Sequence, residues 1–304
     1  MVAVVTVAVA VVAALFVFGW WQFSRIRTVP VAAALSPGGG KGTNYLIVGS
    51  DSREGISPDD PNAGAFMAEG LSGQRTDTIM VLRVQGSATT LMSIPRDLWV
   101  VNPATGERGR INSLYQSGPA VLIQGVRNLG IPVHHYLEID FVSFSRLVDA
   151  LGGITVEFPA PARDTHSGLD VPEAGRRRLN GSQALAYVRS RYYEELVDGR
   201  WRIDPTADLG RVERQRVFLA ALVGEMSSTK NPVAMVRMGT AFGDGLTIDD
   251  TLTYLDALRL AWELRGFNPQ SVTLPVTPRT TSGGASVLEL DEREAAPLVA
   301  QFAA

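Results

Sequence analysis

Apolar residues of this chain fall into short runs rich in β-branched residues and longer stretches with helical spacing. Short apolar runs bounded by polar residues or glycine are typical of buried strands, whereas an apolar repeat of about 3.6 residues is typical of helices. The predicted strands cover residues 45–48, 78–84, 90–94, 135–139, 154–158, 271–276 and 287–290. The predicted helices cover residues 120–129, 141–151, 182–188, 208–226, 249–265 and 291–302. Because the two types alternate, the pattern predicts a layered α/β domain.

The first part of the chain has a different pattern, an apolar run without a charged residue from Val2 to Phe23. Trp20 and Trp21 lie near its end, and aromatic residues of this kind favour the membrane interface. About 20 apolar residues in a helix span the roughly 30 Å hydrocarbon core of a bilayer. We therefore predict one transmembrane helix within residues 1–24. A cleaved signal peptide is the alternative, although the run exceeds the usual apolar segment of about 7 to 15 residues.

The charges that follow this run conflict with export of the rest of the chain. Arg25 and Arg27 lie directly after it, and basic residues favour the cytoplasmic side of a membrane. A translation start upstream of Met1, with a basic tail, would remove the conflict. Residues 25–42 are rich in proline, alanine and glycine and are predicted to form a linker. The glycines beside Lys41 also suggest a phosphate-binding loop, but glycine follows the lysine and the loop precedes the first strand.

The remaining residues, 43–304, are enough for one large α/β domain with a sizeable core. A formal net charge of −3 gives no basic footprint for nucleic acid. The chain has no cysteine, which excludes disulfides, thiolate catalysis and cysteine-ligated zinc. His134 and His135 are neighbours in a predicted strand and point to opposite faces, and His166 is isolated, so no three-ligand zinc set is expected.

Acidic residues and arginines stand at the ends of the predicted strands. Asp51 follows the first strand, and Arg96 follows the third. Arg75 and Asp77 precede the second strand, and in an extended segment their side chains would project to the same side. Carboxylates hold Mg²⁺ together with substrate phosphates, and guanidinium groups bind phosphate oxygens. The combination predicts a diphosphate site at the strand ends; a loop salt bridge with a capping aspartate is the alternative.

A second group of arginines lies later in the chain. Arg189 and Arg191 are separated by one residue, so they have the same spacing as the first arginine and aspartate pair. Arg211 and Gln215 are four residues apart in a predicted helix and share one of its faces. Nearby acidic residues almost cancel the local positive charge, so solvated helix charges are the alternative to an anion site.

Six motifs in the chain resemble those of the LytR-CpsA-Psr family, in the order in which that family has them. They are Asn44–Arg53 (NYLIVGSDSR), Arg75–Thr78 (RTDT), Ser93–Asp97 (SIPRD), Asp149–Ile154 (DALGGI), Leu179–Arg191 (LNGSQALAYVRSR) and Gly210–Gln215 (GRVERQ). The actinobacterial members resemble the chain most. A long insertion, residues 54–74, separates the first two motifs and departs from the family pattern.

The resemblance implies a three-layer α/β/α domain with a central mixed sheet, outside the cytoplasmic membrane and preceded by the anchor. It implies Mg²⁺-dependent transfer of a phosphoglycan from a polyprenyl diphosphate carrier to a peptidoglycan hydroxyl. Asp51 and Asp77 correspond to the family's Mg²⁺-associated aspartates and, with Arg75 and Arg96, are the expected catalytic residues. The diphosphate-binding residues of the family correspond to Arg75, Arg96, Arg189, Arg191, Arg211 and Gln215.

The family also buries the lipid chain of its substrate in an apolar pocket, whose walls are expected among the helices around residues 141–151 and 218–223. A base for the acceptor hydroxyl is left open, because an aspartate that coordinates Mg²⁺ is a poor base. Two alternative functions would use the same site. One is non-catalytic binding of polyprenyl-linked glycans by a regulatory wall protein, and the other is hydrolysis of the lipid diphosphate.

Overall fold

The computed structural model describes residues 17–38, 40–50, 76–205, 208–228, 232–264, 267 and 269–304. The strands in these ranges are β1 Arg27–Val29, β2 Thr43–Ser50, β3 Thr76–Gln85, β4 Ala88–Ser93, β5 Trp99–Val101, β6 Arg108–Arg110, β7 His135–Asp140, β8 Ile154–Phe158, β9 Ala162–Asp164, β10 Leu169–Val171, β11 Gly175–Leu179, β12 Glu194–Val197, β13 Arg200–Ile203, β14 Leu246–Asp249, β15 Gln270–Thr273, β16 Val276–Thr280 and β17 Ser286–Leu290. The α-helices are α1 Pro119–Asn128, α2 Phe141–Ala150, α3 Gly181–Arg189, α4 Asp208–Ser228, α5 Pro232–Gly245, α6 Tyr254–Glu263 and α7 Glu292–Ala303. Two 3-10 helices cover Ala32–Ala34 and Ile111–Ser117.

A seven-stranded mixed sheet in the order β1-β14-β7-β2-β3-β4-β15 forms the centre of the domain. β2 runs parallel to β7 and antiparallel to β3, which is in turn antiparallel to β4. The edge strands β1 and β15 each pair in parallel with their neighbour. Because β2 and β7 are parallel, their C-terminal ends meet at one edge of the sheet, beside the beginning of β3.

Alternate residues of the central strands pack on opposite sides of the sheet, as the two-residue repeat of a strand requires. On one face Leu46, Val48 and Val81 are buried beneath α1, α7 and the 3-10 helix Ile111–Ser117. On the other face Tyr45 and Leu82 are buried with residues of α6 and α4 packed against them. Helices on both faces of a central mixed sheet give the three-layer α/β/α arrangement that the resemblance implies.

Most predicted elements are present, and two were wrong in extent. The helix predicted over residues 249–265 begins at Tyr254, because Asp249 ends strand β14 and its buried carboxylate accepts a 2.9 Å hydrogen bond from the N–H of Tyr136. The strand predicted over residues 271–276 is divided into β15 and β16 around Leu274 and Pro275. Helix α5 and the strands β1, β5, β6 and β9 to β14 were not predicted.

Part of the predicted linker, residues 25–42, is folded against the domain. Strand β1 within it pairs with β14, and Val31 and Ala34 are buried at 4% and 6% exposure. The backbone N–H groups of Val31 and Ala32 both donate to Asp250, each at 3.0 Å. The chain is therefore held to the central sheet before the first predicted strand begins.

The predicted transmembrane helix, residues 1–24, is described only from residue 17, and residues 17–23 are helical. Within the part of the chain that the structure describes, no helix is long and apolar enough to cross a membrane.

Candidate functional site

Two of the six motifs meet at the edge of the sheet where β2 ends and β3 begins. Gly49 pairs with Thr78 and Ser50 with Thr76, so Asp77 is the extra residue of a β-bulge. Bulges bend a strand locally and often lie next to active sites. The predicted site residues Asp51 and Arg75 lie outside the described residues, and for Asp77 only the backbone is described.

Gln215 joins this strand edge to the helical layer. Its side-chain Nε2 donates to the Thr78 hydroxyl at 3.4 Å and to the Val188 carbonyl oxygen at 3.1 Å. Thr78 belongs to the RTDT motif, Val188 to α3, and Gln215 to α4. One predicted site residue therefore connects three of the motifs.

The Arg189-Ser190-Arg191 turn ends α3 beside the strand edge. Ser190 is fully buried, whereas both arginines are partly exposed, so the chain alternates as the one-residue spacing predicts. The Arg189 guanidinium carbon lies 4.8 Å from the centre of the Phe141 ring. Phe141 begins α2 directly after Asp140, which pairs with Ser50 at the end of β2. The turn is thus close to the RTDT side of the sheet.

Asp164, which the sequence did not single out, supports this turn through hydrogen bonds. Its Oδ2 accepts hydrogen bonds from the Ser190 hydroxyl at 2.7 Å and from the backbone N–H groups of Arg191 and Tyr192, both at 3.0 Å. Its Oδ1 accepts from the N–H of His166 at 2.9 Å. Burial raises the pKa of Asp164, but these hydrogen bonds favour the ionised form and hold the pKa below its usual value.

Arg214 holds the same turn from α4. Its Nη1 lies 2.8 Å from a carboxylate oxygen of Asp204, and its Nη2 donates to the Ser190 carbonyl oxygen at 3.0 Å. The guanidinium also lies 4.4 Å from the centre of the Tyr193 ring. Because only 7% of Arg214 is exposed, it is part of the support of the site rather than a surface for ligand. The sequence showed it on the predicted helix, but its buried partners lie elsewhere in the chain.

The DALGGI and LNG motifs have a structural role: they bring α2 and α3 together. The Asp149 carboxylate accepts a 2.8 Å hydrogen bond from the N–H of Gly181, the first residue of α3. A side chain at Gly181 would overlap the Ser145 carbonyl oxygen of α2. Gly153 has a φ of 102°, and a Cβ there would lie 2.8 Å from the Leu179 carbonyl oxygen. The two glycines permit the close backbone approach that positions α3 and its arginine turn.

Arg96 reaches the same edge of the sheet from β4. The N–H of Ile94 donates to the Ile79 carbonyl oxygen at 2.9 Å, so the SIPRD motif lies beside the RTDT strand. Arg96 Nε is 3.5 Å from the Asp97 carboxylate, with 25% of the arginine side chain exposed. Arg211 lies one helical turn before Gln215 on α4, as the four-residue spacing predicts.

Asp140 adds a carboxylate that the sequence did not identify. It ends β7 next to β2, and its side chain caps α2 by accepting from the N–H of Ser143 at 2.8 Å. Burial raises the pKa of Asp140 above its usual value, although its hydrogen bonds to Ser143 act in the opposite direction. Among the side chains that the structure describes, no group of three histidine or acidic residues could hold a metal ion. Asp51 and Asp77 are not among those side chains.

Apolar side chains of α2, α3 and α4 pack together beneath the arginine turn. The rings of Phe144 and Phe218 are 5.4 Å apart, and those of Tyr187 and Phe158 are also 5.4 Å apart. The helices expected to wall the lipid pocket therefore share one apolar cluster. A cavity of about 370 Å³ lies instead near the opposite ends of β3 and β4. Its walls are mostly polar and comprise Arg83, Gln85, Ser87, Ala88, Thr89, Thr90, Gln270 and Gln301.

Comparison with known protein families identifies the chain. The LytR_cpsA_psr family model matches residues 28–303. The chain belongs to the LytR-CpsA-Psr family. The match begins at Thr28, within β1, and so covers most of the residues that were expected to form a linker.

Two curated relatives of the LytR-CpsA-Psr family come from Corynebacterium glutamicum. The probable cell wall biosynthesis protein LcpB is 35% identical over 257 residues, which cover 83% of this chain and 59% of LcpB. The cell wall biosynthesis protein LcpA is 31% identical over an alignment that covers 95% of this chain and 62% of LcpA. The chain thus spans about three fifths of the length of these relatives.

A solved LytR-CpsA-Psr structure has the same fold. The LytR-Csp2A-Psr enzyme from Actinomyces oris superposes with a TM-score of 0.69 at 27% identity, covering 92% of this chain and 96% of that enzyme. The structure described as TagT bound to LI-WTA has a TM-score of 0.64 at 20% identity and is similar in fold.

Proposed function

We propose that the chain transfers a phosphoglycan from a polyprenyl diphosphate carrier to a hydroxyl group of peptidoglycan. The observation that carries this proposal is the convergence of the Arg189-Ser190-Arg191 turn, Gln215 and the RTDT strand at one edge of the sheet. A relative from Enterococcus faecalis that is 33% identical over 195 residues is named a polyisoprenyl-teichoic acid–peptidoglycan teichoic acid transferase. Its name describes the same class of donor and acceptor.

In the proposed reaction the acceptor oxygen attacks the phosphorus that carries the glycan. The bond from this phosphorus to the bridging oxygen of the diphosphate breaks, so polyprenyl monophosphate leaves with that oxygen, and the proton of the acceptor hydroxyl passes to solvent. Phosphoryl transfer depends mainly on positioning and on neutralising charge. Arg189 and Arg191 would bind the diphosphate oxygens, with Arg75, Arg96, Arg211 and Gln215 as the other binding residues.

The proposal includes Mg²⁺, held by Asp51 and Asp77. Ser50, the last residue of β2 and the neighbour of Asp51 in the sequence, pairs with Thr76 at the start of β3, and Asp77 is the next residue of β3. Two carboxylates with substrate phosphates are a typical Mg²⁺ ligand set. When bound there, the cation would neutralise charge on the phosphate oxygens. The arginines would then need to hold only the remaining negative charge and fix its orientation.

We further propose that residues 1–24 anchor the chain and that the folded domain lies outside the cytoplasmic membrane. The substrates named for the relatives, a polyisoprenyl-linked polymer and peptidoglycan, favour this arrangement. Fusion of the chain at its C-terminus to a phosphatase that is active only after export tests it. An active fusion supports the topology, and an inactive one together with an active cytoplasmic reporter contradicts it.

Turnover by the purified full chain tests the reaction itself. A polyprenyl diphosphate-linked glycan would be supplied with Mg²⁺ and peptidoglycan fragments, and both the released lipid and the modified acceptor would be measured. Transfer predicts equal amounts of polyprenyl monophosphate and glycan-bearing acceptor. Lipid release with free phosphoglycan would indicate hydrolysis instead. Binding of the carrier without release of either product, with every acceptor offered, would favour the non-catalytic glycan-binding protein.

A further inference from the structure

Helix α6 carries an exposed apolar ridge that the proposed reaction does not use. Leu255, Leu258 and Trp262 are exposed by 66%, 42% and 65%. Their spacing of three and four residues places them on one face of the helix. Leu260 and Leu264 instead pack toward the central sheet. Large apolar side chains collected on one exposed face mark an interaction surface, whereas scattered ones do not.

The helical segment of residues 17–23 lies against the first residue of this helix. The rings of Phe23 and Tyr254 are 5.6 Å apart, and a side chain at Gly19 would overlap the Tyr254 hydroxyl. The same segment exposes Trp20 and Trp21 by 55% and 49%. Two exposed aromatic and apolar surfaces therefore lie on elements that contact each other through Tyr254.

The segment is also fixed to the rest of the domain. Gln22 is only 6% exposed, and its Nε2 lies 3.3 Å from the Thr240 hydroxyl of α5. Four residues after Phe23, strand β1 joins the central sheet by pairing with β14. Because residues 17–23 are fixed to the domain, a membrane that holds the uncharged run before them would also set the orientation of α6.

We propose that the ridge of Leu255, Leu258 and Trp262, together with Trp20 and Trp21, lies in the interfacial layer of a lipid bilayer. The inference rests on the membrane anchor of the proposed function and adds a second, peripheral contact to it. The uncharged run from Val2 to Phe23 ends beside this surface, which makes lipid the occupant that the sequence favours.

Charged side chains around the ridge fit the headgroup layer. Arg259 follows Leu258 at the side of the ridge, with 79% of its side chain exposed, and the guanidinium carbon of Arg25 lies 5.2 Å from the Trp21 ring centre. Arginines beside an apolar face extend toward lipid phosphates while their stems remain in apolar surroundings. The acidic neighbours are already engaged, because the Asp256 carboxylate accepts hydrogen bonds from Thr253, the N-cap residue of the helix, and Glu263 accepts one from Arg259.

The absence of cysteine allows a direct test with single labels. Leu258→Cys and Val101→Cys would each carry an environment-sensitive fluorophore in the full chain, reconstituted into phosphatidylglycerol and phosphatidylcholine vesicles. Val101 is a matched control because it is 45% exposed and lies far from the ridge in the fold. Its neighbour Val100 is buried in the core on the face of the central sheet that does not carry α6. The proposal predicts a blue shift at position 258 and loss of its emission when the lipids carry brominated acyl chains, with neither effect at position 101.

Each outcome separates this proposal from the anchor on which it rests. If the chain floats with the vesicles but the label at 258 behaves like that at 101, the ridge contact is wrong and the anchor stands. If the chain does not float with vesicles, the anchor fails. A blue shift at 258 that bromine does not quench and that grows with protein concentration indicates a second copy of the chain on the ridge, and contradicts a lipid contact.

Turnover supplies a second measurement. Leu258→Glu places a charge on the ridge and is expected to slow turnover of a long-chain carrier embedded in vesicles several-fold. The same variant should leave turnover of a water-soluble, short-chain carrier unchanged, and Val101→Glu should change neither. Equal loss with both carriers would mean that position 258 acts through the fold, which would overturn the proposal. If the parent chain turns over neither carrier, the proposed reaction fails, while the label experiment still tests the membrane contact.

Discussion

The carboxylate of Asp164 lies 2.7 Å from the hydroxyl of Ser190, so the short strand β9 is joined to the turn that carries two arginines. Both residues are nearly inaccessible, at 1% and 0% exposure. The carbonyl oxygen of Ser190 also accepts a 3.0 Å hydrogen bond from the Arg214 guanidinium. The residue between Arg189 and Arg191 is therefore fixed at both its side chain and its backbone. We infer that Asp164 and Arg214 are positioning residues for the proposed diphosphate site.

Asp164→Asn is expected to destabilise the domain by about 1 to 3 kcal/mol, because an amide cannot accept all the hydrogen bonds that the carboxylate accepts. Diphosphate affinity should fall as well, since the turn loses its support. Denaturant unfolding and binding of a polyprenyl diphosphate measure the two effects. Asp170→Asn, on the neighbouring strand and exposed, is the control and should change neither quantity.

The stabilisation by Asp164 should depend on pH. Hydrogen bonds keep its pKa in the folded state below that of the unfolded chain, which is about 4, despite the opposing effect of burial. A lowered pKa contributes stability above about pH 4 and loses it as the pH falls through the folded-state value. The difference in unfolding free energy between the parent and Asp164→Asn should therefore shrink in acid. A difference that stays constant down to the acid limit of folding would contradict this assignment.

Arg214→Lys should cost about 1.5 to 3 kcal/mol of stability, although it keeps the charge. Lysine lacks the planar guanidinium group. In Arg214 this group binds the Asp204 carboxylate and the Ser190 carbonyl oxygen at the same time, and it also lies over the Tyr193 ring. Arg216→Lys is the control on the same helix: Arg216 pairs with Glu213 at the surface, where such a pair contributes about 0 to 1 kcal/mol. Thermal unfolding of both variants gives the comparison. Equal, small losses would show that the buried geometry of Arg214 is unimportant.

Two glycine substitutions should have opposite signs. Gly181→Ala places a methyl group against the Ser145 carbonyl oxygen, and is expected to cost about 1 to 3 kcal/mol as α2 and α3 separate. Gly224 lies in α4, and apart from its chain neighbours and the backbone of its own helix no atom lies within 4 Å of the new methyl group, so Gly224→Ala should stabilise the domain by about 0.5 to 1 kcal/mol. Unfolding midpoints at fixed protein concentration measure both. A neutral Gly181→Ala would mean that the helices do not need this close approach.

The sequence predicted β2, β3, β4 and β7 of the central sheet because their apolar runs are buried on both faces of the sheet, but it did not predict β14. The predicted ranges 78–84 and 90–94 correspond closely to β3 and β4. It did not predict β9 or β12, which have three and four residues and polar neighbours, so no periodic signal is available in them. The short strand β1 was assigned to a linker because the segment around it is rich in proline, alanine and glycine.

Only part of the candidate site was predictable. A motif can indicate candidate ligand-binding residues, but it does not show which other residues hold them in place. Arg189, Arg191 and Gln215 were chosen from their spacing, and the structure places Gln215 between two other motifs. Asp164 and Arg214 could not be chosen in this way, since their roles come from contacts with residues 26 and 24 positions away in the chain. Such partners become visible only when the chain is folded.

Arg189→Ala and Arg191→Ala should each lower the affinity for a polyprenyl diphosphate by about 10 to 100-fold. A charge-assisted hydrogen bond to a phosphate oxygen is worth roughly 1.5 to 3 kcal/mol, and alanine removes it. Both arginines are partly exposed, so the fold should be retained. Arg200→Ala, on the exposed part of β13, is the control and should bind normally. Wild-type affinity in both test variants, with circular dichroism unchanged, would remove them from the diphosphate site.

Asp77→Asn separates the cation site from the anion site. The substitution keeps the size of the side chain and removes the charge of a proposed Mg²⁺ ligand, so it should abolish turnover and lower the apparent affinity for Mg²⁺. Lipid binding should be largely retained, because burial of the prenyl chain does not depend on this charge. The arginine variants should instead lose diphosphate affinity with little change in the Mg²⁺ midpoint.

The measurement is turnover of a polyprenyl diphosphate substrate across a Mg²⁺ titration, with circular dichroism as the folding control. Asp170→Asn makes the same chemical change at an exposed position of β10 and should follow the parent curve. If Asp77→Asn keeps parental turnover when Mg²⁺ is limiting, the metal assignment is wrong, and the bulge at the start of β3 has another purpose. If it loses turnover with an unchanged Mg²⁺ midpoint, Asp77 acts on the substrate rather than on the cation.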